Sequence, residues 1–283
     1  MGGRIPWRAL LRNPSVAFGG FVILVLLIMA AAAPLVAPGD PTSFTPRLRL
    51  KPPSDEFWFG TDRYGRDIWR RVVHGAQVSL AVGLIVAALS LVVGTTIGLV
   101  AGYVRALDGV LMRLMDGLMA VPGILLAIAL VSVSGASLTS VIIAIFVPEI
   151  PRVARMARSV VLSIREEPFI EAAIGLGTPT PVIMLRHILP NTMAPLIVQG
   201  TYIAASAILT EAVLSFIGTG IPTEIPSWGN IIAEGRDFFQ RAPWIILAPG
   251  AFLAATVLAI NILGDGLRDT LDPRLAKRVG GVV

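Results

Sequence analysis

The sequence predicts an all-α integral membrane protein with six transmembrane helices. Three observations carry this. Of 283 residues, 55% are hydrophobic and only 14% are charged, against about 25% charged in an average soluble domain. The apolar residues also fall in long charge-free blocks, and a ~30 Å hydrocarbon core needs about 20 such residues as a helix. A water-soluble domain, a secreted domain and a disordered chain all fit this composition poorly.

The first span is expected over Val16–Val36, because no charge occurs between Arg12 and Asp40. Signal-peptide apolar regions run to roughly 7–15 residues, so this longer run reads as a retained helix. The second span is expected near Val78–Tyr103, within a block free of Asp, Glu, Lys and Arg from Val72 to Val104. Gly94, Gly98 and Gly102 repeat every four residues along it. That spacing either permits close approach of a neighbouring helix or reflects the general abundance of glycine in membrane helices. The block Gly117–Pro148 is too long for one span, and Ser134-Gly135-Ala136-Ser137 divides it. Two helices are therefore expected, about Leu111–Ser134 and Leu138–Ala157. A fifth is expected near Ala194–Ile217 and a sixth near Pro243–Leu263.

Orientation follows from the basic residues. With the N-terminus inside, cytoplasmic segments carry 14 of the 23 Lys and Arg residues, which places both termini in the cytoplasm. The segment 38–77 opposes this with seven basic residues. The basic balance of the chain is thus explained by membrane flanks, and no nucleic-acid partner is expected.

Several chemistries are excluded. There are no cysteines, hence no disulfide or thiolate site. The two histidines, His74 and His187, are far apart and fall at opposite membrane faces, so neither serves a mid-membrane serine. Lys51 precedes Pro52 and Lys277 precedes Arg278, whereas a phosphate-binding P-loop needs Lys followed by Ser or Thr. No catalytic, metal or cofactor site is expected in this chain.

Between the fourth and fifth spans lies a polar loop, 159–191. Pro168 suits a helix first turn, Glu171 suits the positive end of the helix dipole, and Gly175 and Gly177 can end the helix. Thr178 and Pro179 are expected to open a second short helix, which Pro190 stops. Two short helices at a glycine turn would make a rigid cytoplasmic knob. Its residues Glu171-Ala172-Ala173, then Gly177, then His187-Ile188-Leu189-Pro190, resemble the EAA loop of ABC-importer permeases. A polar residue at His187 resembles the peptide-importer branch. Further segments resemble the second permease of dipeptide, oligopeptide and nickel importers: Phe59–Asp67, Pro226-Ser227-Trp228-Gly229, and Asn261–Asp269 continuing to Leu271-Asp272-Pro273-Arg274.

The resemblance implies a type I importer permease with the loop, including Glu171, Ala172, Ala173, Gly177, His187, Leu189 and Pro190, coupling it to ATPases. It implies a homologous second permease, two ATP-binding subunits that bind ATP and Mg, and an extracytoplasmic substrate-binding protein. The expected location is a bacterial or archaeal plasma (inner) membrane, in contact with its lipid. The substrate expected is a di- or oligopeptide, with nickel or another small solute as the alternative in the same branch. The expected organisation is an N-terminal part over 1–77, a permease domain over 78–271 and a cytoplasmic tail over 272–283.

Other charged residues keep two readings each. In Phe59–Asp67, Asp62/Arg66 and Arg63/Asp67 could pair as a surface turn, or Asp62, Arg66 and Asp67 could receive a binding protein. Trp228, in the loop Gly218–Ala242, suits a membrane interface, and the resemblance adds an outer gate or docking role. Glu149 is expected to pair with Arg152 three residues on. Glu211, deep in the fifth span, either lines the pathway or makes a buried hydrogen bond, since an unpaired charge there is costly. An ATP-independent secondary transporter would use Glu149 and Glu211 for ion coupling, but no internal repeat of the kind common in such proteins stands out.

Overall fold

The computed structural model describes Leu10 and residues 12–271. The expected tail 272–283, and Arg4, Arg8, Arg274, Lys277 and Arg278 of the charge argument, lie outside these residues. Among the described residues the regular structure is helical, apart from one isolated bridge between Thr61 and Asp67. The long helices are α1 (Pro14–Ala31), α2 (Ile68–Tyr103), α3 (Arg105–Met119), α4 (Gly123–Ser134) and α5 (Leu138–Ile164). A short helix α6 (Pro168–Gly175) precedes α7 (Leu189–Ile217), α8 (Trp228–Gly235) and α9 (Trp244–Leu271).

Among the described residues, four stretches are long and apolar enough to cross a membrane: α1, α2, the run Thr180–Ile217 that contains α7, and α9; α3 with α4 gives a fifth if the bent pair is one span. The third expected helix, Leu111–Ser134, is therefore corrected. It breaks between Met119 and Gly123 with an 84° bend. Pro122 accounts for the break, because proline disfavours helical geometry in the residue before it. Helix α2 starts ten residues before the expected Val78, so the expected division at 77/78 falls inside a continuous helix. Asp67 is its N-cap and accepts a hydrogen bond from the Trp69 amide. The last helix also runs past Leu263 to Leu271, so the segment Asn261–Asp269 is helical.

Helix α2 is the axis of the fold. Its Gly94, Gly98 and Gly102 face α5, and a Cβ on Gly98 would lie 2.6 Å from the Ala154 carbonyl oxygen. One on Gly94 would meet Val153, and one on Gly102 would meet Val161. The four-residue glycine spacing is thus a backbone-to-backbone seam. On the α7 side, a Cβ on Gly83 would lie 3.0 Å from the carbonyl oxygen of Ala204. The buried core joins Val72, Val82 and Val86 of α2 to Val153 of α5, Ile203 and Ile208 of α7, and Trp228 of α8. Helix α1 lies against α9, where Gly19 approaches the Ala259 carbonyl and the Asn13 side-chain amide donates to the Gly266 carbonyl at 3.3 Å. The outward face of α1 leaves Phe18, Phe21, Leu24 and Ile28 exposed, as a lipid-facing helix requires.

Replacing Gly98 with Leu should push α2 from α5 and cost about 1–3 kcal/mol. Gly109→Leu, at a position with open space around it, should leave stability near wild type. Thermal unfolding of both variants in detergent checks this, and equal midpoints would rule the seam out as a stabilising contact.

Candidate functional site

The loop 165–190 builds from a proline and a glycine. Pro168 occupies the first turn of α6, where a missing N–H costs nothing. At the far end Gly177 adopts φ +75°. The Gly177 amide donates to the Ile174 carbonyl at 2.9 Å and the Thr178 amide to the Ala173 carbonyl at 3.0 Å. This is the Schellman pattern, which needs a left-handed residue after the helix. A side chain at Gly177 would meet open space, so the requirement for glycine is conformational.

The second half differs from expectation. Thr178 makes no cap; the next helical turn begins at Thr180 with Pro179 as its N-cap. Nor does Pro190 stop the chain. A π-helical turn, Ile183–Ile188, leads directly into α7, with the Leu189 amide donating to the Met184 carbonyl. The wider turn shifts the hydrogen-bond register just ahead of Pro190, which has no N–H to give. Residues Thr180–Ile217 therefore form one helical run of 38 residues.

This hairpin is pinned from below. Ile170, Ala173, Ile183 and Ile188 are buried with Leu99 of α2 and Val161 of α5, and Leu189 packs on the same cluster. Glu171, Ala172, Gly177 and Pro190 are exposed, and His187 is half-buried. The seven residues singled out in the sequence thus divide, with Ala173 and Leu189 anchoring and the others on or near the surface. Pattern reading missed the exposed apolar neighbours Phe169, Ile174, Leu176 and Leu185. Leu176 is 86% exposed, and its position between two glycines was the available signal.

Two ion pairs hold α3 to α5. Arg158 is bidentate to Asp108 at 2.5 and 2.6 Å, and Arg155 meets Asp116 at 2.5 Å. Glu149 pairs with Arg152 at 3.1 Å, as the three-residue spacing predicts.

At the other end of the molecule, Asp62 is buried rather than on a surface turn. Its carboxylate accepts from the Tyr64 and Arg66 amides at 2.8 and 3.0 Å, from Arg66 Nε at 2.6 Å and from Arg71 Nη1 at 2.9 Å. Arg71 continues to Glu234 of α8 at 2.8 and 3.0 Å, and Arg66 also reaches Glu234. Two cations and two carboxylates thus neutralise one another away from water, joining residues more than 160 apart. The expected Arg63/Asp67 pair is corrected: Arg63 stacks on Tyr64, 4.5 Å from the ring centroid, and Asp67 faces Arg70 at 3.4 Å.

Trp228 is fully buried. Its indole N–H donates to the Val72 carbonyl at 3.0 Å, and its amide donates to Ser79 Oγ at 3.1 Å. Like Asp62, Trp228 therefore shapes this end of the chain from within. Glu211 is likewise fully buried. Its Oε1 accepts from Ser215 and from Ser227, the N-cap of α8, each at 2.8 Å. Through these bonds the carboxylate ties α7 to α8, the packing arrangement expected from the sequence beside the pathway one.

Removing one member of the buried cluster leaves its partners uncompensated, which costs about 3–5 kcal/mol. Glu234→Ala should fall in that range, whereas Asp237→Ala, which loses an exposed pair with Arg236, should cost at most about 1 kcal/mol. Detergent melting curves distinguish them, and equal small losses would contradict the buried-cluster account.

Comparison with known proteins matches this arrangement to a family. The family described as "Binding-protein-dependent transport system inner membrane component" matches residues 94–277. A second, "N-terminal TM domain of oligopeptide transport permease C", matches residues 3–53. The chain is 53% identical to the "Probable peptide ABC transporter permease protein y4tQ" of Sinorhizobium fredii, covering 94% of this chain and 91% of that one. It is 44% identical to the "Dipeptide transport system permease protein DppC" of Alkalihalophilus pseudofirmus, covering 95% and 90%. Among solved structures, an inward-facing MetNI methionine ABC transporter shares the fold with TM-score 0.59 at 19% identity, over 72% of this chain and 98% of that one. The chain belongs to the binding-protein-dependent transport system inner membrane components, the permease subunits of ABC importers.

Proposed function

We propose that this chain is the non-catalytic permease subunit of an importer of di- or oligopeptides, forming half of the pathway beside a homologous permease. Two ATP-binding subunits, which hold ATP and Mg, and an extracytoplasmic binding protein complete the assembly. The peptide substrate is supported by the names of the two close relatives and by the family matched at residues 3–53.

One observation carries the coupling role: the hairpin is clamped to α2 and α5 and runs without a break into α7. A force on α6 has no soft joint in which to dissipate. Glu171 and the exposed Phe169, Ile174, Leu176 and Leu185 supply the surface that an ATPase subunit would grip. Ile170, Ala173, Ile183 and Ile188 pass its movement to the ends of two other helices. His187 and Pro190 lie where the lever meets α7.

For this lever to work the hairpin faces the cytoplasm, and the chain crosses six times, with both termini inside. The sixth crossing is α5, whose arginines Arg152, Arg155 and Arg158 gather toward its hairpin end, as the positive-inside rule favours. Residues 78–271 then include most of the permease core and the coupling loop at 159–191. The N-terminal part supplies α1 and the outer segment, and 272–283 the cytoplasmic tail.

Gly177→Val forces a branched side chain into left-handed geometry, which costs about 1–2 kcal/mol even for a simple Cβ. The variant should insert and assemble but transport peptide poorly, with weak stimulation of ATP hydrolysis by loaded binding protein. Normal uptake and normal stimulation in reconstituted vesicles would overturn the coupling role. A surface change makes the complementary test. Leu176→Asp should leave melting of the chain unchanged and reduce recovery of the ATPase in a pull-down; full recovery would remove Leu176 from the docking surface.

A further inference from the structure

Where α1 leaves the membrane and α2 enters it, an open cavity of about 180 Å³ lies beneath Trp58 and Trp69. Val36, Glu56, Asp67 and Arg70 also line it. The spot lies beside the end of α1, an 18-residue apolar helix about as long as the hydrocarbon core is thick. The short turn Ala33–Val36 follows α1, α2 starts at Ile68, and Ala33, Ala37 and Val73 are buried together. The two indoles lie 5.3 Å apart at 47°. Trp58 is 63% exposed although it is large and apolar, and the neighbouring Leu35 is 84% exposed. Tryptophan at this level is the ordinary anchor to lipid headgroups.

The lining carries more than anchorage requires. Two carboxylates and one guanidinium surround the indoles, a net charge of −1. Indole faces attract ammonium groups, and the carboxylates add to that attraction. Arg70 is placed beside them, its Nε 3.4 Å from Asp67 and its guanidinium folded over the Gly39 turn, where a Cβ would lie 2.8 Å from Nη1. With 38% of its side chain exposed, it keeps donors for an oxygen anion. Burial pushes the Asp67 carboxyl up from the usual carboxylate range despite Arg70, so an added cation would relieve a group that its present neighbours do not fully compensate.

We propose that this cavity binds the headgroup of an ammonium-bearing phospholipid. The ammonium lies against Trp58, Trp69, Glu56 and Asp67, the phosphate meets Arg70, and the acyl chains run down the exposed flank of α1 from Leu35. The cavity is several times the ~30 Å³ share of a water molecule yet smaller than the roughly 300–1,000 Å³ usual for a whole small-molecule ligand. That size suits a headgroup whose tails stay in the bilayer.

The test uses the whole transporter, purified in detergent and stripped of lipid. Dioleoyl phosphatidylethanolamine or dioleoyl phosphatidylglycerol is added back while thermal unfolding is followed. The ethanolamine lipid should raise the midpoint by several degrees more than the glycerol lipid does. Trp58→Ala and Glu56→Gln, both at exposed side chains, should each remove that difference. Equal shifts by the two lipids, or a preference that survives both substitutions, would overturn the proposal. So would soluble phosphoethanolamine reproducing the shift, since that assigns the cavity to a free solute. Loss of binding-protein association in Trp58→Ala with the lipid preference intact would assign it to the protein partner instead.

Discussion

The contact between α2 and α5 along Gly94, Gly98 and Gly102 governs the hairpin end of this permease. Each glycine lets the α5 backbone come within reach of the α2 backbone, with the Ala154 and Arg158 carbonyls close by. Lipid supplies no hydrophobic drive for helices to associate, so small residues that permit dense packing take that role. The seam also brings Leu99 and Val161 side by side, and these two form the floor on which Ile170, Ala173, Ile183 and Ile188 rest. Moving α5 away from α2 would therefore split the seat of the hairpin as well as the helix pair.

The two ends of the molecule are held by different physics. The hairpin end relies on an apolar cluster, held by many close-packed dispersion contacts without directional bonds. The opposite end relies on directional bonds. Asp62, Arg66, Arg71 and Glu234 form a closed ionic group, Asn230 donates to the carbonyls of Ile221, Pro222 and Ile225, and Ser227 bridges Glu211 to the start of α8. Buried charges of this kind tolerate little misalignment, because a displaced partner leaves an unsolvated ion. The result is a cap of defined shape at the end of the molecule opposite the hairpin.

Helix breaks show the same logic at the level of single residues. Proline disrupts the chain at Pro122, where no wider turn absorbs it, and α3 and α4 diverge by 84°. Pro190 sits beside a π-helical turn and the helix runs on, and Pro148 and Pro151 lie within α5 without ending it. Local rules predict a stop at each. Which ones become breaks depends on whether neighbouring helices fill the space and satisfy the freed carbonyls.

Reading residues in order was enough for features set by composition and short spacing. The helical class, the approximate positions of the apolar runs, the Glu149/Arg152 pair, the Asp62/Arg66 pair and the glycine turn at Gly177 were all legible, because each depends on neighbours within a few residues. The glycine repeat suggested a close contact without naming its partner. Long-range proximity was out of reach. Nothing local marks Glu234 as the partner of Arg71, or Ser227 as the partner of Glu211. Asp62 and Trp228 looked like surface residues because their flanking sequence is polar. Burial there is imposed by elements more than 150 residues away, and only folding brings the complementary charges close enough to offset their loss of water.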